Sequence, residues 1–202
     1  MRETRPAVAL DLGGILLTDP TLGGFWSSIS ASRGDDGVAA RTLWFSELRE
    51  PFERGELHED LVWESLASAS GSSATSVRRR FLGGFKELPG GIQALRDCKA
   101  AGFRVVLATN HYGPWVPMWR STFDWFPLID QVVCSSEIGE RKPNSRFYEE
   151  ALVACDAADY PVRFVDDIPE NVEAASAFGF VGLLGDGSGD WLTEVIANGR
   201  LS

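Results

Sequence analysis

The chain has 202 residues, of which 44% are hydrophobic and 24% charged. This is the composition of an ordinary globular protein, and it excludes a disordered chain, a fibre and a small disulfide scaffold. The 19 basic and 29 acidic residues give a net charge of −10. Such a charge would repel a phosphate backbone, so we expect no nucleic-acid partner. No apolar run approaches the length of a membrane span, about 18 residues, and the charged first residues are not typical of a signal peptide. We therefore expect no membrane partner.

The cysteines indicate a reducing compartment. Cys98, Cys134 and Cys155 are odd in number, far apart in the sequence and form no CxxC pair. This usage is typical of reduced core thiols rather than of a disulfide framework. We expect a cytoplasmic protein, while the sequence leaves the oligomeric state unknown.

Short apolar runs that stop at polar or glycine-rich turns predict five strands. In chain order they cover residues 7–10, 103–108, 131–134, 162–165 and 181–184. Runs of this length that are almost entirely apolar suit parallel strands covered on both faces.

Helical patterns separate these runs from about residue 88 onward. Ile92, Leu95 and Cys98 share one helix face, and Gly102 has the position of a C-terminal cap. Another helix is predicted to begin at the cap residue Ser145. Its predicted buried face consists of Phe147, Ala151, Leu152 and Cys155.

The remaining helices complete an alternating pattern. Pro169 and Gly179 mark the start and the end of a further helix, and Trp191 begins the last one. Alternating strands and helices predict an α/β fold, a Rossmann-like doubly wound parallel sheet.

The segment between the first strand and residue 87 differs from the rest, because it has helical spacing and no strand-like alternation. Its apolar positions are Trp44, Leu48, Phe52, Leu57, Leu61 and Leu66. We expect a helical cap of residues 19–86, inserted into a catalytic core made of residues 1–18 and 87–202.

Reactive side chains follow four of the five predicted strands. Asp11 follows the first strand, Thr109 the second, Lys142 lies in the loop after the third, and Asp166 and Asp167 follow the fourth. Ligands of doubly wound sheets bind beyond the carboxyl ends of the strands, so these residues are expected to meet. Facing carboxylates repel one another unless a cation intervenes, and oxygen ligands suit Mg²⁺. A hydroxyl and a lysine beside that ion would hold a phosphate.

Four motifs at these positions resemble, in order and spacing, those of the haloacid dehalogenase (HAD) superfamily, in the subfamily IA-like branch with a helical C1 cap. The motifs are Asp11-Leu12-Gly13-Gly14-Ile15-Leu16, then Thr109, then Lys142-Pro143, then Val165-Asp166-Asp167 followed by Asn171. The resemblance covers nearly the whole chain. It also includes a cap-like stretch, Phe52-Glu53-Arg54-Gly55-Glu56-Leu57 with Trp63.

The resemblance implies a nucleophile and a metal site. Asp11 would attack phosphorus to give an aspartyl-phosphate. Asp11 would also bind Mg²⁺ together with the backbone carbonyl of Gly13, with Asp167 as a direct ligand and Asp166 as an outer or water-mediated one. The backbone at Gly13 would contact the substrate as well.

The resemblance also implies a phosphate-binding set. Thr109, the amide of Asn110 and the backbone of Gly14 would hold phosphate oxygens. Lys142 would neutralise the nucleophile and the transferring group. Asn171 would orient the loop on the metal side.

Gly13 departs from the pattern of the superfamily. Most of its phosphatases have a second Asp at this position, which protonates the leaving group and then activates water. Such acid–base help is worth roughly 10² to 10⁴ in rate. The candidate substitutes are His111, two residues after Thr109, and Asp19, in the turn after the first motif. Each has a plainer interpretation, as a packing histidine and as a solvated turn aspartate.

Aromatic residues add a further signal, since three of the seven tryptophans, Trp115, Trp119 and Trp125, follow the second motif. Trp115 and Trp119 have helical spacing and are expected to pack in the core or between core and cap. The alternative is an apolar wall for a substrate.

The favoured interpretation is an Mg²⁺-dependent phosphohydrolase that acts on a small phosphorylated molecule through an aspartyl-phosphate. Two alternatives stay open: a catalytically weak protein that binds phosphate and Mg²⁺, and a diphosphate-processing enzyme for an apolar substrate. Dehalogenation needs no metal and would leave the Asp166–Asp167 pair without a role.

Overall fold

A five-stranded parallel sheet forms the centre of the computed structural model, which describes residues 5–30, 36–157 and 160–197. The strands are β1 (Ala7–Leu10), β2 (Arg104–Thr109), β3 (Gln131–Cys134), β4 (Arg163–Asp166) and β5 (Val181–Leu184). Their order is β3-β2-β1-β4-β5, and all neighbouring pairs are parallel. The predicted Rossmann-like fold is confirmed. Parts of the predicted core (1–4, 158–159 and 198–202) and of the predicted cap (31–35) lie outside the described residues.

Strand β1 is buried on both faces, as its continuous apolar run predicts. Val8 and Leu10 belong to one hydrophobic cluster, and Ala7 and Ala9 belong to the cluster on the other face. Leu10 pairs with Leu107 of β2 and with Val165 of β4. This register brings the residues that follow the three central strands to one edge of the sheet.

Helices cover both faces of the sheet. On the face of Val8 and Leu10 lie α6 (Pro89–Ala100), α7 (Val116–Thr122) and α11 (Leu192–Ala197). On the opposite face lie α9 (Ser145–Cys155) and α10 (Pro169–Phe178), and the short α8 (Ser135–Ile138) follows β3 directly.

The helix boundaries mostly follow the sequence signals. Helix α10 begins at Pro169, and Gly179 ends it in the left-handed conformation with φ 107°. The cap of helix α9 lies one residue before the predicted Ser145. Asn144 is the cap and accepts a hydrogen bond from the Arg146 N–H at 3.0 Å. Ser145 is therefore the first helical residue. The predicted buried face was wrong at Leu152, which is 38% exposed because it lies about 100° around the helix from Ala151.

The chain between β1 and α6 is helical in its described part, as predicted. It contains α1 (Phe25–Ile29), α2 (Val38–Leu43), a π-helical turn (Trp44–Leu48), α3 (Arg49–Glu53), α4 (Glu59–Ser70) and α5 (Ala74–Leu82). Trp44, Phe52, Trp63 and Phe81 are buried and belong to the same hydrophobic cluster as β1. Leu61, expected among the apolar positions, is 50% exposed.

The chain leaves and re-enters the sheet region through two adjacent segments. Leu17 forms an antiparallel bridge with Glu87, and the Thr18 N–H donates to the Lys86 carbonyl at 2.8 Å. The Thr18 hydroxyl donates to the Gly84 carbonyl at 2.7 Å. The helical insertion is thus tied at its base by two neighbouring connections.

No helix in the described ranges is both long enough and apolar enough to cross a membrane.

Gly91 in α6 offers a stability test of the packing under the first motif. A Cβ at Gly91 would collide with the backbone carbonyl of Ile15. We expect Gly91→Ala to lower the free energy of unfolding by about 1–3 kcal/mol, the usual cost of overpacking. Gly24→Ala is the control, because its Cβ would meet nothing nearer than the Ser27 hydroxyl at 3.9 Å. Urea unfolding of both variants measures the difference, and equal stabilities would contradict the packing.

Candidate active site

Three carboxylates meet at the carboxyl edge of the sheet. Asp11 follows β1, Asp166 ends β4 and Asp167 comes next. Each offers an oxygen within 4.8 Å of the others. The structure thus brings together the acidic residues that the sequence predicted to meet.

Lys142 is buried among these carboxylates. Its ammonium donates to Asp11 Oδ1 at 2.8 Å, to Asp166 Oδ2 at 2.6 Å and to the Ala108 carbonyl at 2.9 Å. Burial opposes the charge, but the Asp11 and Asp166 carboxylates outweigh it and hold the pKa of Lys142 above its ordinary value. A permanent positive charge therefore lies against the predicted nucleophile.

Asn110 holds the backbone of Lys142 in place. The Asn110 side-chain oxygen accepts from the Lys142 N–H at 2.8 Å, and its amide nitrogen donates to the Lys142 carbonyl at 3.1 Å. The side chain of Asn110 thus links β2 to the lysine loop.

Asp166 and Asp167 are adjacent in sequence but differ in environment. Asp166 is buried, and in addition to Lys142 it accepts from Asn171 Nδ2 at 2.9 Å and from the Ile168 N–H at 3.0 Å. Asp167 is exposed and lines the pocket. The inner carboxylate is engaged in the scaffold, while the outer one faces the cavity.

The electrostatics of the cluster fit a cation. Burial raises the pKa of Asp11 to about 7, against the pull of Lys142 and with Asp166 and Asp167 adding to the rise. Desolvation and the neighbouring Asp166 also raise the pKa of Asp167. A divalent cation would relieve this repulsion. The donors are hard carboxylate oxygens, and this donor set fits Mg²⁺.

Gly13 and Gly14 have different backbone requirements. Gly14 has φ +74°, and a Cβ there would collide with the Asp167 carboxylate. At Gly13 a Cβ would lie 4.0 Å from both Asp11 Oδ2 and His111 Cε1, which is ordinary van der Waals contact. The absence of a side chain at position 13 is therefore not imposed by space or by a left-handed backbone.

Thr109 and His111 form a pair next to this position. Thr109 is fully buried at the end of β2, and its hydroxyl lies 2.7 Å from His111 Nδ1. Burial lowers the pKa of His111 to about 4; Asp19 opposes this shift, whereas Lys142 and Arg49 add to it. The imidazole is therefore uncharged near neutral pH.

Asp19 lines the same pocket, but it also stabilises its own turn. Its Oδ1 accepts from the N–H and from the hydroxyl of Thr21, both at 2.7 Å. The predicted turn contacts are present.

A pocket lies over the carboxylates and opens to solvent. Its floor contains Asp11, Lys142 and Asp167, and its wall contains Trp44, Phe52, Phe81 and Trp115. Of the three tryptophans after the second motif, Trp115 alone is in the described lining. Trp119 packs against His111, with 5.4 Å between the ring centroids. The indole N–H of Trp125 donates to Glu87 Oε1 at 3.0 Å.

Sequence reasoning missed two charged residues in this lining, Arg49 and Glu53. The Arg49 Nε donates to Glu53 Oε1 at 2.8 Å, and Arg141 Nε, from the loop after α8, donates to Glu53 Oε2 at 2.7 Å. The i,i+4 spacing of Arg49 and Glu53 was a readable signal for the ion pair. Nothing in the sequence showed that the pair faces the pocket.

A sequence profile of the haloacid dehalogenase-like hydrolases matches residues 7–179. The chain belongs to this family. The match extends across the helical insertion and includes the three carboxylates.

Two fungal relatives resemble this HAD-like hydrolase in sequence. The sesquiterpene phosphatase astK of Aspergillus oryzae is 33% identical over 189 residues, which cover 91% of each chain. The drimenol cyclase drtB of Aspergillus calidoustus is 26% identical over 184 residues. That alignment covers 88% of this chain but 33% of the cyclase.

Solved structures share the fold. The HAD family enzyme bt-2542 of Bacteroides thetaiotaomicron superposes with a TM-score of 0.73 at 15% identity, covering 96% of this chain and 98% of that one. Its complex with magnesium and inorganic phosphate gives a TM-score of 0.69 at 18% identity and covers 93% and 97%.

The two glycines of the first motif should respond differently to a methyl group. We expect Gly14→Ala to lower the free energy of unfolding by about 1–3 kcal/mol, because its φ of +74° is strained for alanine, and to displace Asp167. Gly13→Ala is the matched control and should stay within about 0.5 kcal/mol of the parent. Thermal unfolding with and without Mg²⁺ provides the comparison. Equal losses in the two variants would show that the backbone here is not as described.

Proposed function

We propose that this hydrolase is an Mg²⁺-dependent phosphatase that works through an aspartyl-phosphate on Asp11. The observation that carries the proposal is the Lys142 ammonium, 2.8 Å from Asp11 Oδ1, within a cluster of three carboxylates that fits a cation. The phosphatase relative and the phosphate complex of the structural neighbour support the same reaction class.

In the first step a carboxylate oxygen of Asp11 attacks phosphorus, and the bond from phosphorus to the ester oxygen breaks. Lys142 balances the negative charge that accumulates on Asp11 and on the phosphoryl oxygens. The Thr109 hydroxyl and the backbone of Gly14 and Asn110 hold those oxygens. A bound Mg²⁺, held by Asp11, Asp167 and the Gly13 carbonyl with Asp166 behind them, would neutralise charge at the phosphoryl group.

We further propose that residues 19–86 act as a cap over the core formed by residues 1–18 and 87–202. Glu53 of α3 accepts from Arg141 of the core at 2.7 Å, which would fix the cap over the pocket. Arg49 lies on the cap side of the same pocket, where its guanidinium would bind a substrate phosphate.

The substrate, in this proposal, is a phosphate ester of an apolar alcohol. Four aromatic side chains line the pocket beside Asp11 and Lys142, where the phosphate would bind: Trp44, Phe52, Phe81 and Trp115. Aromatic walls suit hydrophobic ligands. The sesquiterpene phosphatase and the drimenol cyclase among the relatives support a terpenoid-like group. All three cysteines are free and buried, and this agrees with a cytoplasmic location.

A second candidate is a binding protein that retains the Mg²⁺–phosphate cradle with little turnover. The glycine at position 13 favours it, because the usual acid–base carboxylate is missing. Hydrolysis of para-nitrophenyl phosphate with Mg²⁺ separates the two candidates. Activity that Asp11→Asn abolishes supports the phosphatase, whereas bound phosphate without turnover supports the binding protein.

The two neighbouring aspartates should contribute differently to metal binding. We expect Asp167→Asn to abolish Mg²⁺ binding, because this carboxylate faces the pocket. Asp166→Asn should chiefly destabilise the fold, since it weakens a buried partner of Lys142. Calorimetric Mg²⁺ titration and urea unfolding of both variants measure the two effects. Unchanged Mg²⁺ affinity in Asp167→Asn would refute the assignment.

A substitution in the aromatic wall should lower the hydrolysis of large apolar substrates and leave that of small ones unchanged. We expect Phe81→Leu to lower kcat/KM for a prenyl monophosphate about fivefold, a loss of about 1 kcal/mol of apolar contact. Hydrolysis of acetyl phosphate should be unaffected, and Trp191→Phe, a buried substitution outside the described pocket lining, is the control for stability. An equal loss on both substrates would argue against the apolar site. The matching prenyl diphosphate, assayed in parallel, tests the diphosphate-processing alternative.

A further inference from the structure

The second half of the proposed reaction lacks an obvious base, because position 13 has no side chain. Hydrolysis of an aspartyl-phosphate needs a group that takes a proton from the attacking water. We propose that His111 is this general base. The inference rests on the proposed phosphatase function and adds a catalytic residue to it.

The position of the ring relative to Gly13 is the first observation. A Cβ at position 13 would lie 4.0 Å from Asp11 Oδ2 and equally 4.0 Å from His111 Cε1. The imidazole therefore borders the space that a side chain at position 13 would enter. His111 and Asp11 both line the pocket.

The hydrogen bond to Thr109 is the second observation. The Thr109 hydroxyl lies 2.7 Å from His111 Nδ1. A hydroxyl has a single proton to donate. When Thr109 gives that proton to a phosphoryl oxygen, it must accept from His111, so Nδ1 has the proton and Nε2 has the free lone pair. Phosphate binding thus selects the tautomer with a basic Nε2.

The surroundings hold the ring in place. Phe85, Trp115 and Trp119 lie around it, with ring centroids 5.6, 6.4 and 5.4 Å away. A ring packed in this way has few alternative rotamers.

The second step is the hydrolysis of the aspartyl-phosphate. The water oxygen forms a bond to phosphorus, the bond between phosphorus and the Asp11 oxygen breaks, and its electron pair returns to the carboxylate. The water proton moves to His111 Nε2 and is then released to solvent. The first step is not assigned to His111, so the leaving alkoxide takes its proton from solvent.

Rapid-quench kinetics with para-nitrophenyl phosphate and Mg²⁺ test the base, because this leaving group needs no proton. In His111→Asn an amide nitrogen can still donate to Thr109, but no basic nitrogen remains. We expect nitrophenolate to be released in the first turnover at a rate within about twofold of wild type. The steady-state rate should fall about 10²-fold or more, and phosphate should accumulate on Asp11, detected by peptide mass spectrometry.

A second variant tests the same role by rescue. His111→Ala should show the same accumulation, and adding Gly13→Asp to it should restore turnover, since a Cβ at position 13 meets only ordinary van der Waals contacts. Wild-type turnover in His111→Asn but not in His111→Ala would mean that His111 positions Thr109 and is not the base. Clearance of phospho-Asp11 at the wild-type rate in either single variant would also overturn the inference. A wild-type protein that never forms phospho-Asp11 would overturn the proposed function, and the base with it.

Discussion

The buried ion cluster of Lys142, Asp11 and Asp166 is the interaction on which the site depends. An ammonium in this position is stable only because two carboxylates and a carbonyl surround it. Removing one member of such a cluster leaves a buried charge without its partner, which usually costs several kcal/mol. The cluster also connects three segments far apart in sequence, so the geometry around Asp11 and the integrity of the sheet edge depend on each other.

The pocket above this cluster combines two kinds of surface. Its floor is charged and comes from the ends of parallel strands and from the loop that contains Lys142, whereas its wall is aromatic and comes mostly from the inserted helices. A molecule with an anionic end and an apolar body fits such a division. Glu59 supports the wall, because its Oε2 accepts from the indole N–H groups of Trp63 at 3.0 Å and Trp115 at 3.2 Å. One carboxylate of the insertion thus fixes an aromatic side chain of the core.

Gly13 separates this protein from the usual motif of its superfamily, and the structure limits the explanations. Gly14 needs its left-handed backbone, but Gly13 has neither that constraint nor a crowded Cβ position. Neither the backbone conformation nor the space around Cβ therefore requires a glycine at position 13. The imidazole of His111 borders the space beside Gly13 where a side chain would lie.

The sequence by itself determined the sheet, the helical insertion and the acidic cluster. Apolar runs that end in Asp11, Thr109 and Asp166 have one simple solution, because parallel strands place their carboxyl ends at one edge. Local signals also fixed the ends of α10 at Pro169 and Gly179. They were less reliable at α9, where two neighbouring residues, Asn144 and Ser145, could both act as the cap.

Tertiary structure alone decided which side chains form the wall of the pocket and how deeply Asp166 and Asp167 are buried. Helical spacing identifies Trp44 and Phe52 as apolar positions but cannot distinguish a core contact from a cavity lining, since both exclude water. The same limit applies to Arg49, whose position depends on how the inserted helices dock on the core. Side chains that follow a strand are placed by the strand itself, whereas side chains on an insertion are placed by packing between elements that the sequence pattern does not record.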